Sequence, residues 1–451
     1  MFFSGVGHRG RVNISVIGTG YLGATHAACL ASTGHRVVGV DTDPARADLL
    51  ASGRAPFHEP GLDDLLQRGV ASGDLAFSSD VAAAADADVH FLCVGTPQRA
   101  GSHAADLTAL WAALASLQPH LRPGSVVVGK STVPVGTAAE VARRVAPVRV
   151  AWNPEFLREG HAVEDSLHPD RLVWGVPDDP DGTDGVGDET DLVLREVYAP
   201  LLAAGVPVVR TNLATSELAK VAANAMLAAR ISLVNMLAEV CEAASADVAD
   251  LTRVLGLDAR IGSQFLSPGV GFGGGCLPKD TRAFVARAEE LGVDGSLAVL
   301  REVDAINMRQ RARTIDRAVA LAGGRIEDRT VAVLGAAFKP DSDDVRDSPA
   351  LDVAATLQAR GAQVRVYDPW AGDNAVRARP GLQKADDVEA ACRDADVVLV
   401  LTEWEEFRGL DPVSLREAVR HPRVIDGRLA LDPDKWRAAG WELAALGRGG
   451  D

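Results

Sequence analysis

Reactive side chains cluster most densely in one stretch, GVGFGGGCLPKD, from Gly269 to Asp280. Gly271, Gly273, Gly274 and Gly275 run into Cys276, and Pro278 opens an uninterrupted helical pattern from Thr281 to Leu291. Glycine lets backbone amides crowd a ligand and proline is tolerated in a first helical turn, so the stretch reads as a loop feeding a helix N-terminus. Cys276 then sits at the positive end of a helix dipole with Lys279 beside it, and both features favour the nucleophilic thiolate. Asp280 lies four residues on and returns to the same helix face, setting a candidate base next to a candidate nucleophile. Covalent chemistry at the sulfur is one reading. A small buried thiol in an ordinary glycine loop is the other.

The elements ahead of this loop read as a nucleotide fold. Val12 to Ile17 is an apolar strand followed at once by GTGYLG, with Gly18, Gly20 and Gly23 at G-x-G-x-x-G spacing around Tyr21 and Leu22. A helix from Tyr21 to about Thr33 and a second strand, RVVGVD, ending at Asp41 complete the unit. The glycines permit the tight turn, the close approach of a pyrophosphate and the packing of helix on strand, while the carboxylate about 20 residues on takes the adenosine ribose hydroxyls. Strand, glycines, helix, strand and acid in that order predict dinucleotide binding.

The alternation continues through Val89 to Val94, ending in Gly95-Thr96-Pro97, and Ser125 to Val128, ending in KSTVPVG. Ligands of open parallel sheets collect beyond the carboxyl ends of the strands, so Thr96 and Thr132 are placed to touch cofactor or substrate; hydroxyls that merely cap helices are the alternative. Strand Val148 to Trp152 leads into a loop bearing Glu155 and Glu159, and Asp178 to Thr190 reads as a polar, glycine-rich surface insertion. Thr215 to Ala246 is the longest helical pattern, free of proline and glycine, and reads as a spine between domains and a dimer face. Lys220 and Asn224 share one face of it. Polar groups in an apolar stripe need partners or a function, unless the lysine snorkels to the surface.

From Thr330 the opening pattern returns: TVAVLGAAF repeats NISVIGTGY, GAQVRVYDP repeats GHRVVGVDTDP, and DADVVLVLTEW repeats DADVHFLCVGTP. The expected fold is α/β, with two Rossmann-like doubly wound parallel-sheet domains (11–212 and 323–451) joined by a central helical domain (213–322) with the long spine helix. In the second copy Ala337 stands where Gly20 does, and Lys339 and Arg346 lie nearby. A basic pair suits a phosphate-bearing ligand other than the dinucleotide.

Composition narrows the partners. Acidic residues outnumber basic ones 62 to 46, a net charge of −16, which argues against nucleic acid or a membrane surface and leaves room for a local basic pocket. No run of about 18 apolar residues is evident, and MFFSGVGHRGRV lacks the apolar core of a signal peptide, so a soluble cytoplasmic protein is expected. The cysteines (Cys29, Cys93, Cys241, Cys276 and Cys392) are scattered without a CxxC, which suggests neither a disulfide framework nor a metal site.

Taken together, GTGYLG, VGTP, KSTVPVGT, NPEFLREG, PDR, SELAKVAANAMLAARISLVN, LDARIG, GFGGGCLPKD, GAAFKPDSDDVRDSP and YDP resemble, in order and over nearly the whole chain, the UDP-glucose/GDP-mannose dehydrogenases. The resemblance implies two successive NAD-dependent oxidations of a primary alcohol to a carboxylate, with the aldehyde held on Cys276 as a thiohemiacetal and then a thioester. It implies UDP-glucose as substrate, with GDP-mannose or a UDP-N-acetyl-hexosamine as alternatives because CLPKD also resembles the GDP-mannose branch. Lys220 and Asn224 would stabilise the oxyanion, and Asp280, Glu155 and Thr132 would hold or activate water. Glu155, Phe156, Leu157, Arg158, Glu159, Phe265, Leu266, Ser267, Pro268, Gly269, Gly273 and Lys339 would line the nucleotide sugar, with Arg260 reaching it, if at all, across a dimer interface. The cofactor would be met by Gly18, Gly20, Tyr21, Leu22, Gly23, Asp41, Arg46, Thr96, Thr132, Glu159, Lys279 and Arg346. Three positions depart from the family pattern: Val221 follows Lys220 in place of tyrosine, Gly275 precedes Cys276 in place of serine, and Arg230 replaces a lysine.

Two other classes share parts of this pattern: a single-step 3-hydroxyacid dehydrogenase, which needs no cysteine, and a non-catalytic NAD-binding protein. The aspartate at position 41 repels a 2′-phosphate. NAD is therefore expected to be reduced with a higher kcat/KM than NADP; a preference for NADP would overturn the reading of Asp41.

Overall fold

Short β-branched and apolar runs become strands, and alanine- and leucine-rich runs become the helices between them. The computed structural model describes residues 10–178 and 185–449, so the residues before Gly10 and the middle of the expected insertion lie outside the described part. Two compact units, Met1–Ala222 and Ala223–Asp451, meet inside the longest helix, Leu213–Ala244.

The first unit holds eight strands: β1 (Asn13–Ile17), β2 (Arg36–Val40), β3 (Leu75–Ser78), β4 (Val89–Leu92), β5 (Val126–Gly129), β6 (Arg149–Trp152), β7 (Leu172–Val176) and β8 (Val208–Asn212), in the order 3-2-1-4-5-6-7-8. Neighbours pair in parallel except β6 with β7, which meet antiparallel at Trp152 and Gly175. β1 sits between β2 and β4, so the chain winds outward in both directions from it and the turns after β1 and β4 open beside each other. That reversal is where open α/β sheets bind ligands. Ile14, Val16, Val89, Phe91, Val126 and Val128 fill one face and Leu92, Leu110, Leu114 and Val127 the other. Burial on both sides explains why these strands read as unbroken apolar runs.

In the second unit β9 (Thr330–Leu334), β10 (Gln363–Tyr367), β11 (Gln383–Lys384), β12 (Val397–Val400), β13 (Arg423–Asp426) and β14 (Glu442–Ala445) form an all-parallel sheet ordered 11-10-9-12-13-14. All six of its strands repeat the winding of the first six strands of the first sheet, in keeping with the duplicated sequence.

The insertion is a correction. Val186–Val197 is a helix with Asp188 and Glu189 in its first turn, and Thr190 is buried. Acidic residues that read as a polar loop are the ones a helix N-terminus favours.

The spine helix, 32 residues long, is apolar enough by length and composition to cross a membrane, with a mean hydropathy of 1.5 in its qualifying window. It nevertheless buries Ser216, Glu217, Lys220, Asn224, Ser232 and Asn235 within the protein. Glu217 accepts from the amides of Gly136 at 2.8 Å and Ala138 at 2.6 Å, where the helix Thr137–Val145 begins. Asn235 accepts from the Gly269 amide at 2.8 Å, in the second unit. These polar side chains are built-in anchors for loops. Replacing Glu217 by alanine strands one buried and one exposed helix-terminal donor and should lower first-unit stability by roughly 1–3 kcal/mol, read as a shifted urea midpoint; an unchanged midpoint would mean the carboxylate anchors nothing.

Candidate active site

Cys276 caps the helix Leu277–Glu290 in the second unit, with Pro278 in its first turn. It is exposed, whereas Cys29, Cys93, Cys241 and Cys392 are all buried. Burial pushes the thiols of Cys29, Cys93 and Cys392 up to about 12, which keeps them protonated and inert. One thiol out of five has the access and the helix-terminal field that a nucleophile needs.

Asp280 is buried one turn into this helix, and its amide bonds the Cys276 carbonyl at 2.9 Å. Its carboxylate accepts from Asn224 Nδ2 at 2.7 Å and pairs with Lys279. The structure thus joins three predicted site residues, Asn224, Lys279 and Asp280, beside the cysteine's own turn. Lys279 spends its ammonium on Asp280, so its influence on the thiol is exerted through a pair and not as an isolated cation.

The glycines before Cys276 make room for the protein's own chain. A Cβ at Gly273 would fall 2.4 Å from the Asp347 carbonyl oxygen, one at Gly274 2.8 Å from the Phe338 ring, and one at Gly275 2.3 Å from the Arg346 guanidinium carbon. The space is occupied by protein. The segment 338–349 packs on this loop backbone to backbone, with the Gly274 amide on the Arg346 carbonyl at 2.9 Å. Gly275, the departure from the family's serine, is the position over which Arg346 lies.

The other predicted second-unit residues are dispersed. Arg260 is 87% exposed and forks onto Asp258 at 2.6 Å. Phe265 (φ 58°) and Ser267 are exposed, while Leu266, Pro268 and Gly269 are buried. Lys339 lies 5.8 Å from the Phe338 ring centre, and Arg346 forks onto Asp344.

In the first unit Lys220 and Glu155 form a buried ion pair at 2.8 Å. The lysine does not snorkel. Phe156 lies between Arg171, at 4.0 Å from its ring centre, and Lys220, at 5.8 Å. The Glu155 carboxylate also accepts the Leu157 amide at 2.7 Å, Arg158 forks onto Asp165, and Thr96 donates to the Thr132 carbonyl at 2.6 Å. The loops after β4, β5 and β6 therefore bring Thr96, Thr132, Glu155 and Phe156 to one edge of the sheet. Behind them is a group that sequence reasoning missed. Lys130 is buried and donates to Asn153 Oδ1 at 2.9 Å, which the Tyr198 hydroxyl shares. Glu59 was missed as well: it accepts from Tyr21 and from the amides of Gly160, at 2.9 Å, and Val163, at 3.2 Å, so it ties the loop 155–160 to the glycine turn. A charged residue amid the apolar end of a strand was the signal for Lys130; HEPG offered none for Glu59.

At the glycine turn a Cβ on Gly23 would lie 1.8 Å from the Gly18 oxygen, whereas Gly20 has nothing within 4 Å of where its Cβ would be. The first glycine packs helix on strand and the second leaves open room at a helix N-terminus, as a diphosphate requires. Leu22 is half-buried beside them. Asp41 takes the Thr19 amide at 2.8 Å and Arg46 at 3.0 Å. Burial pushes this carboxyl up, but the amides of Asp43 and Thr19 and the guanidinium of Arg46 outweigh it and hold it below its ordinary range. Asp368, its counterpart in the second sheet, accepts from the amides of Ala336, Ala337, Trp370 and Ala371 and from the Trp404 indole. Among the described residues no three of His, Cys, Asp and Glu gather as a metal-binding group.

Three family models match in sequence order: the NAD binding domain of the UDP-glucose/GDP-mannose dehydrogenase family at residues 12–202, its central domain at 214–309 and its UDP binding domain at 332–433. The chain belongs to this family. It is 44% identical to a UDP-glucose 6-dehydrogenase of Rhizobium meliloti, over 97% of this chain and 100% of that one, and 36% identical to one of Bacillus subtilis, over 97% and 98%. The solved UDP-glucose dehydrogenase of Pyrobaculum islandicum has a TM-score of 0.87 at 35% identity, covering 99% of this chain and 100% of that one. The UDP-D-ManNAc dehydrogenase of Pyrococcus horikoshii has a TM-score of 0.84 at 26% identity, covering 97% and 99%. The chain is thus an NAD-dependent nucleotide-sugar dehydrogenase. The open space at Gly20 and the acid at position 41 fit that cofactor.

Lys130 offers a test of the buried network. Burial draws its ammonium down to about 8, with Lys220 pressing the same way and Cys93 and Glu155 opposing. An unfolded lysine keeps its proton to about pH 10.4. Between these values the unfolded chain binds more protons than the folded one, so the lysine's contribution to stability rises with pH. From about pH 8 to 9.5 the parent should gain roughly 2 kcal/mol relative to Lys130→Met in urea titrations; parallel curves would mean that Lys130 keeps an ordinary affinity for its proton.

Proposed function

We propose that this dehydrogenase oxidises the C6 alcohol of UDP-glucose to UDP-glucuronate, removing four electrons through a covalent thiohemiacetal and thioester on Cys276. The observation that carries the reading is the contrast among the five thiols: the exposed one caps a helix beside the Asn224–Asp280 hydrogen bond, and the other four are buried. UDP over another base is supported by the match of residues 332–433 to a UDP binding domain and by relatives named UDP-glucose 6-dehydrogenase.

NAD, when bound, supplies the hydride acceptor for both oxidations. The chain's own residues do the rest. The Cys276 sulfur adds to the aldehyde carbon, and the resulting oxyanion is met by the Lys220 ammonium and the Asn224 amide. After the second oxidation, water held by Glu155, Thr132 and Asp280 attacks the thioester carbonyl, the C–S bond breaks and the thiolate returns as the carboxylate departs. Glu155 pairs with Lys220 and orients it, and Lys279 with Asn224 fixes the Asp280 carboxylate. The cofactor and sugar contacts proposed are those the family resemblance implies, on domains 11–212, 213–322 and 323–451. The proposed setting is the cytoplasm.

The assembly we propose is a homodimer on the spine helix. Met226, Leu233 and Val240 are exposed at seven-residue spacing along it, and Val254 and Leu257 extend the apolar surface on the next helix, Val248–Gly256. A surface of that kind requires a partner, and a second copy meets it with the same stripe.

Cys276→Ser should reduce turnover at least a thousandfold while leaving UDP-glucose binding within a few fold. The parent should form two NADH per sugar, fastest with UDP-glucose in a panel with GDP-mannose and UDP-N-acetyl sugars. One NADH per sugar, or acid production by the serine variant at the parental rate, would sink the covalent route.

A further inference from the structure

The helix Ala298–Leu321 buries a row of polar side chains, Asn307, Gln310, Arg311 and Thr314, that the proposed reaction does not use. Two of them face the loop that ends in the nucleophile. The Asn307 carboxamide accepts the Phe272 amide at 2.7 Å and donates to the Phe272 carbonyl at 3.0 Å, grasping both backbone groups of one residue four positions before Cys276. Arg311, one turn on, donates from Nη2 to the same carbonyl at 3.2 Å and to the Asp347 carbonyl at 3.3 Å. Its Nη1 reaches the Asp347 carboxylate at 2.9 Å and that of Asp352 at 3.3 Å.

Asp347 is therefore a hub. Its second oxygen takes Arg282 Nη1 at 3.1 Å, and Arg282, six residues after Cys276, also forks onto Asp304. The residue itself is bent into the left-handed region at φ 45°. The loop before the nucleophile, the helix after it and the segment 344–349 are all tied to one buried guanidinium and one bent aspartate.

We infer that Arg311 is a positioning residue for the reaction: by holding the Phe272 carbonyl and Asp347 together it sets where Cys276 stands relative to the segment that carries Arg346. Stability alone is a poor account of it. The Nε of Arg311 is buried without a hydrogen-bond partner, and well-packed apolar side chains commonly stabilise as much as buried ion clusters do. What an apolar residue cannot do is fix two backbone carbonyls and a carboxylate in one plane, which a guanidinium fork does. The glycines agree, because close seating at Gly273 and Gly275 is useful only if the two segments keep a fixed register.

This inference rests on the covalent reading, and the test separates the two. Arg311→Lys keeps the charge but reaches fewer of its partners at once. Asp347→Asn, at a partly exposed position, keeps the shape and serves if the lysine variant does not fold. Each should melt within a few degrees of the parent and keep the KM for NAD within threefold while kcat with UDP-glucose falls at least tenfold. In ligand-free protein the rate at which iodoacetamide alkylates Cys276, followed by peptide mass spectrometry, should change at least fivefold. A folded Arg311→Lys protein with parental kcat and parental alkylation would overturn the inference. So would a loss of activity that merely tracks the unfolded fraction. Should the serine variant at position 276 turn out active, the covalent reading fails, but the alkylation rate still decides whether Arg311 places the thiol.

Discussion

The two hydrogen bonds between the Phe272 backbone and the Asn307 carboxamide are the constraint on which the second unit's cysteine loop depends. They convert a glycine-rich segment, the most flexible kind of chain, into a fixed lead-in to a helix N-terminus. Gly271 is at φ 108°, and a Cβ there would lie 2.5 Å from Asn307 Oδ1, so the bond and the glycine require each other. Downstream, Gly273, Gly274 and Gly275 are kept bare by the segment 338–349. A nucleophile of the kind proposed must stand within fractions of an ångström of its target, and a loop that surrenders side chains to admit a neighbouring backbone is held closely enough to meet that need.

The first unit meets the same need by different means. There the loops beyond β4, β5 and β6 are pinned by buried polar side chains: Thr96 to the Thr132 carbonyl, Lys130 to Asn153, Glu155 to Lys220, Glu59 to Gly160. Each is a group that would be costly to bury alone, and each is satisfied by a partner from a different segment of the chain. Because an unpaired member is penalised far more than a paired one is rewarded, the network selects one arrangement of the sheet edge over near alternatives. The spine helix contributes to both units on this principle, with Glu217 holding a helix start in one and Asn235 a loop amide in the other.

Much of this was legible in the sequence where the determinants are local. Strand and helix limits fall within a few residues of those read from apolar runs, and Gly18, Gly20, Gly23 and Asp41 stand where their spacing put them. The glycines and helix start around Cys276 were legible too, and its exposure removes the small buried thiol that they had left open. What stayed hidden depends on partners far along the chain. Glu59 meets Gly160 about a hundred residues later, and Arg311 meets Asp347; neither has a periodicity or a neighbour that announces it. The acidic start of the helix Val186–Val197 misled for a related reason, since Asp and Glu serve loops and helix N-termini equally well until the buried Thr190 is seen.

The duplicated sheets separate what a fold supplies from what a site needs. Both place an acid at the end of the second strand, and both use it to catch amides of the turn after the first. Asp41 receives the amides of Thr19 and Asp43, the Thr19 hydroxyl and a partly exposed arginine, and of these the arginine is the one that can swing aside for a ligand. Asp368 receives four backbone amides and an indole, all fixed by the fold, and Ala337 adds a methyl group where the first turn is open. Losing one glycine and gaining one tryptophan leaves the second carboxylate held by groups of the fold alone. The same winding then carries Lys339 and Arg346, residue types suited to phosphate, in the loop after its first strand, with Arg346 forked onto Asp344.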